Sequence, residues 1–156
     1  MRPITFLSCA VVLAGCTKAE DRAVGDAGTR DTVAEAPAPA SISLTNVAGK
    51  WKIRTADADG GNPVDAEMVA TADTSGWTLT LPNRKPVPMR VTAVAGDSFV
   101  VEAGPFESVL RKGVQVTTRT VNRLQNGKLV GTMEARYTKG GRDSVALRTS
   151  EGTRAP

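Results

Sequence analysis

The 156-residue chain predicts an all-β fold, an antiparallel meander closing into a small up-and-down β-barrel, and three observations carry that prediction. Candidate strands follow one another through connections of mostly two to five residues, which suit hairpins and leave no length for crossovers. Counting outward from five successive turns puts the apolar side chains of each hairpin on one common face. A wide curled sheet with a single apolar face buries that face most economically by closing on itself. An open barrel and a β-sandwich are the alternatives, the sandwich being disfavoured because it needs long crossovers.

Before the strands comes a different kind of sequence. Arg2 precedes the largely apolar run Ile4 to Ala14, eleven residues, too short for a helix to cross a hydrocarbon core of about 30 Å. It reads as a signal peptide over residues 1–15. The run ends Leu13-Ala14-Gly15-Cys16, and this resembles the lipobox of bacterial lipoproteins. The resemblance implies acylation of Cys16 and cleavage just before it, with membrane lipid as the partner of the acylated cysteine. Thr17 follows the cysteine where an Asp would imply retention in the inner membrane, so the resemblance implies an outer-membrane anchor if the organism has one. Cys9 lies inside the removed segment and Cys16 is consumed by lipid, so the mature chain is expected to hold no disulfide. Residues 16–45 alternate charges with Ala, Gly and the run Ala36-Pro37-Ala38-Pro39-Ala40, show neither structural period, and read as a flexible tether. The folded domain is then residues 46–156.

Nine strands are predicted within it, at 49–56, 64–72, 77–82, 86–94, 98–103, 106–111, 114–124, 128–138 and 143–149. An odd count would bring the first and last strands of a closed meander together in parallel, so either 106–111 extends a neighbour or the sheet stays partly open. The firmest register comes from Asn126-Gly127, a two-residue turn that needs positive φ at both positions. It sets Leu124 opposite Leu129, Asn122 opposite Gly131, Thr120 opposite Met133, Thr118 opposite Ala135 and Val116 opposite Tyr137, with Arg119 against Glu134 on the other face. Upstream, the turn at Asp73-Thr74-Ser75-Gly76 sets Met68 opposite Leu81 and Ala70 opposite Leu79. Asn83-Arg84-Lys85 sets Leu79 opposite Met89, and Ala95-Gly96-Asp97 sets Val91 opposite Val101 and Ala93 opposite Phe99. Arg111-Lys112-Gly113 sets Leu110 opposite Val114. Trp51, Trp77, Leu79, Met89, Phe99 and Met133 are the predicted inner face.

Gly49-Lys50-Trp51, opening the first strand, resembles the Gly-x-Trp signature of lipocalins and related calycin barrels. The resemblance implies that the indole of Trp51 closes one end of the barrel and that an arginine from the far end of the chain packs across it. Arg148 is the candidate for that partner.

Catalytic chemistry finds little support. The chain has no histidine, which excludes Ser-His triads and His-ligated metal centres and leaves Ser75, Ser98, Ser108 and Ser144 without an imidazole to activate them. Asp57, Asp59, Asp73, Asp97 and Asp143 fall in predicted turns, where backbone geometry alone favours aspartate. The run Asp57 to Asn62 lacks the sixth-position glycine and twelfth-position glutamate of a calcium loop. No cofactor, metal or catalytic residue is assigned, and the protein is read as not an enzyme. A net charge of +4 is too small for a nucleic-acid binder. Arg111, Lys112, Arg119, Arg123, Arg136, Lys139 and Arg142 do gather late in the chain, where outward charges protect strand edges.

Two functional classes remain ahead of a hydrolase. In the first, the barrel interior binds a small apolar or lipidic ligand, through inward Thr118, Thr120 and Asn122 with Met133 and Tyr137 lining the same space. In the second, the outer surface serves as a structural or protein-interaction module of the cell envelope. A cavity above about 300 Å³ would favour the first, and a packed interior the second.

Overall fold

The computed structural model describes residues 41–156. The expected signal peptide, the lipobox-like run with Cys16, and the expected tether up to residue 40 lie outside the described residues. A single turn of helix, α1 (Leu44–Val47), leads into eight strands: β1 (Gly49–Asp57), β2 (Val64–Ala70), β3 (Thr78–Thr80), β4 (Val87–Ala95), β5 (Ser98–Glu107), β6 (Gln115–Gln125), β7 (Lys128–Lys139) and β8 (Arg142–Arg154). They form one closed antiparallel barrel in sequence order, with β1 pairing back onto β8. No helix among the described residues is long and apolar enough to cross a membrane.

Eight strands rather than nine resolve the parity problem. The segment read as 98–103 continues to Glu107 as β5, taking in only Phe106 and Glu107 of the segment read as 106–111, and its register against β6 shifts between Ala103 and Phe106. Gly104 occupies that shift at φ 111°, where a Cβ would lie 2.7 Å from the Val116 carbonyl oxygen. A side chain there would push β5 off β6, so the bulge needs glycine. The described chain is already bound to the barrel before residue 46. Ile42 N–H donates to the Gly96 carbonyl at 2.7 Å, which ties the chain to the barrel before α1 begins.

The β6–β7 register is the expected one at every rung from Gln125↔Lys128 to Val116↔Tyr137. Two upstream hairpins are displaced by two residues. Met68 faces Leu79 rather than Leu81, and Leu79 faces Val87 rather than Met89. A two-residue shift keeps each side chain on its own face, so the inner face survives it. In the loop before β3, Asp73 Oδ1 accepts from Ser75 N–H at 2.8 Å and the Asp73 carbonyl accepts from Trp77 Nε1 at 2.8 Å, and these bonds hold Thr71 to Trp77 out of the ladder. In the turn after β3, Arg84 N–H donates to the Leu81 carbonyl at 3.1 Å, which sets the β3–β4 register separately. In the β4–β5 hairpin, Val91 does face Val101, but Ala93 faces Val100 because the register slips between Val91 and Ala93. Leu110 lies exposed in the loop before β6, and Ser108 N–H donates to the Val114 carbonyl instead.

Hydrophobic burial runs the length of the barrel. Trp51, Trp77, Phe99, Leu129 and Val47 form the densest part, with Trp77 and Phe99 packed edge to face at 5.5 Å between ring centroids. Val114, Val116, Ala135 and Tyr137 form a second cluster, and Phe106 packs against both. Of the predicted inner face, Trp51, Trp77, Leu79 and Phe99 are buried, while Met89 and Met133 are half-buried.

Trp51 closes one end. Its Nε1 donates to the Val47 carbonyl at 2.7 Å, which satisfies the indole inside the apolar packing. The guanidinium over its ring is that of Arg154, with Cζ 4.5 Å from the centroid. Arg154 also donates to the Ala48 and Asn46 carbonyls at 2.9 and 2.6 Å, so one side chain pins α1, the indole and the last strand together. The assignment of this place to Arg148 is therefore corrected. Trp51 pairs with Arg154, whereas Arg148 pairs with Asp57, six rungs nearer the other end. Gly49 fits the same contact: its φ is 133°, and a Cβ there would come within 2.9 Å of Arg154 Nη1.

Candidate functional site

The alternation of β6 turns Thr118, Thr120 and Asn122 inward, and all three are buried. With Met89, Met133 and Ser150 they surround a void of about 20 Å³. That is room for about one water, the smallest guest such a polar lining takes. Gly131, opposite Asn122, opens no further volume. A Cβ there would collide with the Val121 carbonyl oxygen and stand 3.0 Å from Asn122 Oδ1, so the missing side chain is filled by the neighbouring strand. No fully buried side-chain nitrogen or oxygen among the described residues lacks a hydrogen-bond partner.

Tyr137 lies further along the barrel, in a second cavity of about 60 Å³ that it shares with Leu79, Phe106, Thr118, Met133 and Arg148. The five predicted ligand residues are thus divided between two small spaces, with Thr118 and Met133 lining both. Pockets that enclose small organic ligands span roughly 300–1,000 Å³. The interior is far closer to a packed core.

Arg148 stands at the mouth of the larger cavity and is buried. It pairs with the Asp57 carboxylate and donates to the Asn62 and Thr55 carbonyls. Asn62 Nδ2 in turn donates to Asp57 Oδ2 at 2.7 Å, and Asp59 Oδ1 accepts from Gly61 N–H at 2.9 Å. The carboxylates of the β1–β2 loop therefore serve an arginine and their own backbone. A buried guanidinium needs such partners, because desolvating it alone costs several kcal/mol.

The outer wall carries a larger concavity. β2 pairs with β1 from Val64 onward, but with β3 only from Glu67 to Val69. Beyond that point the chain turns away through Pro82, which has no N–H to offer, and Asn83 at φ 58°. The resulting cleft has a volume of about 630 Å³. Ile53, Ala66 and Leu81 lie along it and also line the interior cavity, so one layer of side chains separates the two. Lys52, Arg54 and Arg84 are balanced by Asp65, Glu67 and Glu151 along the same cleft. Arg54 and Asp65 meet across the strands at 3.4 Å.

The candidate serines have structural partners. Ser108 Oγ accepts from Leu110 and Arg111 N–H at 3.1 Å each, Ser144 Oγ accepts from Arg111 at 2.9 Å, and Ser75 Oγ donates to Asp73 at 2.8 Å. Ser98 Oγ donates to the Ala95 carbonyl at 3.2 Å. The basic residues late in the chain are largely engaged at the surface. Arg123 pairs with Asp97 at 3.0 Å and Arg136 with Glu134 at 3.1 Å, while Arg111 lies 3.9 Å over the Tyr137 ring. Arg119 faces Glu134 in the ladder yet reaches Glu102, at 4.0 Å, because Arg136 holds Glu134 along its own strand.

Sequence reasoning missed Arg154 and the wall cleft. The signal for Arg154 was present, since β8 continues the same alternation past residue 149, where the predicted strand ended. In the barrel Gly152 is required by packing: a Cβ there would come within 2.7 Å of Ile53 Cδ1 and 3.0 Å of Leu129 Cβ. The cleft depends on the shortness of β3, which pairs with β2 only from Thr78 to Thr80 before the chain leaves through Pro82. The chain matches no family model, no curated protein and no solved structure.

Proposed function

We propose that this chain is a lipid-anchored protein of the cell envelope, acylated at Cys16, whose barrel is an interaction module that works through its outer wall. The single observation that carries this reading is the contrast of volumes, about 60 Å³ inside the barrel against about 630 Å³ in the wall cleft. The cleft combines an apolar floor, a rim of balanced charge and a stretch of β2 edge without a strand partner. These features together suit an extended polypeptide segment, which takes main-chain hydrogen bonds from a strand edge and specificity from alternate side chains. The balanced rim suits neither nucleic acid nor a strongly anionic ligand. The Trp51–Arg154 closure supports a lipocalin-like ancestry for the barrel, with a filled lumen in place of a ligand cavity.

Membrane fractionation tests the anchor: Cys16→Ser should move the protein out of the membrane fraction and remove the acyl mass, and retention of both contradicts the assignment. Native mass spectrometry of the full chain taken from its own membrane tests the module. The expected species carries the acyl anchor and no further small molecule. A stoichiometric small molecule that is lost in Thr120→Leu would return the function to the interior.

A further inference from the structure

The pairing of β8 ends before β8 does. Its partner on one side, β7, runs with it to Lys139↔Arg142, but on the other side β1 pairs only from Trp51↔Arg154 to Asp57↔Arg148. Residues 142–147 therefore form a strand segment that no other strand among the described residues covers on the β1 side. Natural proteins guard such edges with charge, proline or a bulge, because a bare row of N–H and C=O groups templates further pairing. This one presents Val145, 51% exposed, and Leu147, 72% exposed, on its outer face. Leu147 is the most exposed of the large hydrophobics found on the surface, and Leu110 of the loop before β6 lines a concavity with it.

We infer that this edge pairs with the same edge of a second copy of the chain, making an antiparallel, twofold-symmetric dimer whose two barrels share a continuous β7–β8–β8–β7 sheet. Twofold pairing across an axis normal to the sheet keeps outer faces together and places one residue opposite its own copy. Four centres give three rungs or more within the bare segment, and Asp143 at the centre would set two carboxylates face to face. Ser144 at the centre leaves Leu147 without a rung and puts Arg142 against Ala146, and Ala146 at the centre gives three rungs. Val145 at the centre gives five rungs: Val145 against Val145, Ser144 against Ala146 twice, and Asp143 against Leu147 twice. The two valines then meet directly, and each leucine lies diagonal to the opposing valine, within reach of a cross-strand contact. The strand residues of the inner face, Ser144 and Ala146, are small and neutral, with the Arg111 guanidinium on Ser144 Oγ at 2.9 Å, and no like-charged strand residues are paired. Asp143 is already occupied by the Thr138 hydroxyl at 2.8 Å. Ile42 meets Gly96 at the opposite end of the barrel, so the first of the described residues lie away from this edge. This self-complementarity favours a second copy over an unrelated segment.

Sedimentation of the full, detergent-extracted chain across a concentration series tests the pairing. A monomer–dimer equilibrium is expected, with Val145→Lys weakening it at least tenfold by opposing two ammonium groups at the axis. Val94→Lys, a comparably exposed valine on β4, should leave it unchanged, and both variants should melt with the unaltered chain. Val145→Cys should cross-link copies by a disulfide where Val94→Cys does not, since only the axial pair brings its Cβ atoms within bridging distance. A chain that stays monomeric, or a dimer that Val145→Lys leaves intact, overturns the inference. The first of these results would leave the edge to an extended segment of another protein.

Discussion

Two arginines on one strand, six residues apart, do opposite work. Arg154 is a clamp: its charge lies over the Trp51 ring and its donors hold the last carbonyls of α1 and its C-cap, Asn46 and Ala48. Trp51→Ala should lower stability by about 3–5 kcal/mol, as loss of a buried large aromatic does. Arg154→Ala should lower it by about 1–3 kcal/mol, the scale of a cation–π contact plus charged hydrogen bonds. Chemical denaturation of the two single variants and the double variant measures the coupling, which should be well short of additive because both remove the same contact. Arg148 is instead a buried charge kept by its partners. Removing Asp57 leaves that charge uncompensated, whereas Arg148→Met removes the charge and keeps apolar bulk. Asp57→Ala should therefore be the more destabilising of the two, by a margin of about 1–3 kcal/mol. Equal losses in denaturant titrations would show that the pair contributes by packing alone.

Among the elements, the β2–β3 loop has the largest consequence for its size. Asp73 receives hydrogen bonds from the Ser75 backbone N–H, the Ser75 hydroxyl and the Thr71 hydroxyl, and these hold its carboxyl below the ordinary aspartate value. A group whose folded pKa is depressed stabilises the fold above its unfolded pKa, and that contribution is lost as pH falls through the folded one. Acid unfolding followed below about pH 4 should accordingly show a shallower pH dependence in Asp73→Asn than in the unaltered chain. The same loop marks where sequence stopped being informative. The Asn126-Gly127 turn was legible because a two-residue turn with positive φ at both positions, at 51° and 76°, admits one register. Asp73 to Gly76 was read as a turn of similar economy, but side-chain bonds widened it, and the turn at Leu81 to Arg84 shifted the next hairpin separately. Face assignment survived because it depends on parity, while pairing partners did not. The interior row Thr118, Thr120 and Asn122 was read correctly as inward. Whether it borders a cavity depends on how far the opposite wall closes in, and periodicity carries no information about that distance.

At the scale of the whole molecule, closure of β1 onto β8 leaves unpaired stretches among the described residues that include the β2 edge at the wall cleft, the β3-facing side of β4 beyond Pro88 and the end of β8. Between these walls the lumen is filled by the packing of Phe106, Tyr137 and their neighbours. On the proposed reading the interior contributes core rather than a ligand site, in keeping with voids of about 60 and 20 Å³. That role is tested most directly by comparing the melting temperature of the full chain extracted gently from its membrane with that of the same chain unfolded, stripped of small molecules and refolded. A bound lumenal ligand stabilises the native form by an amount that grows with its concentration over Kd. Identical melting temperatures are predicted. A natively extracted chain that melts several degrees higher, with the difference restored by adding back the stripped extract, would contradict the account.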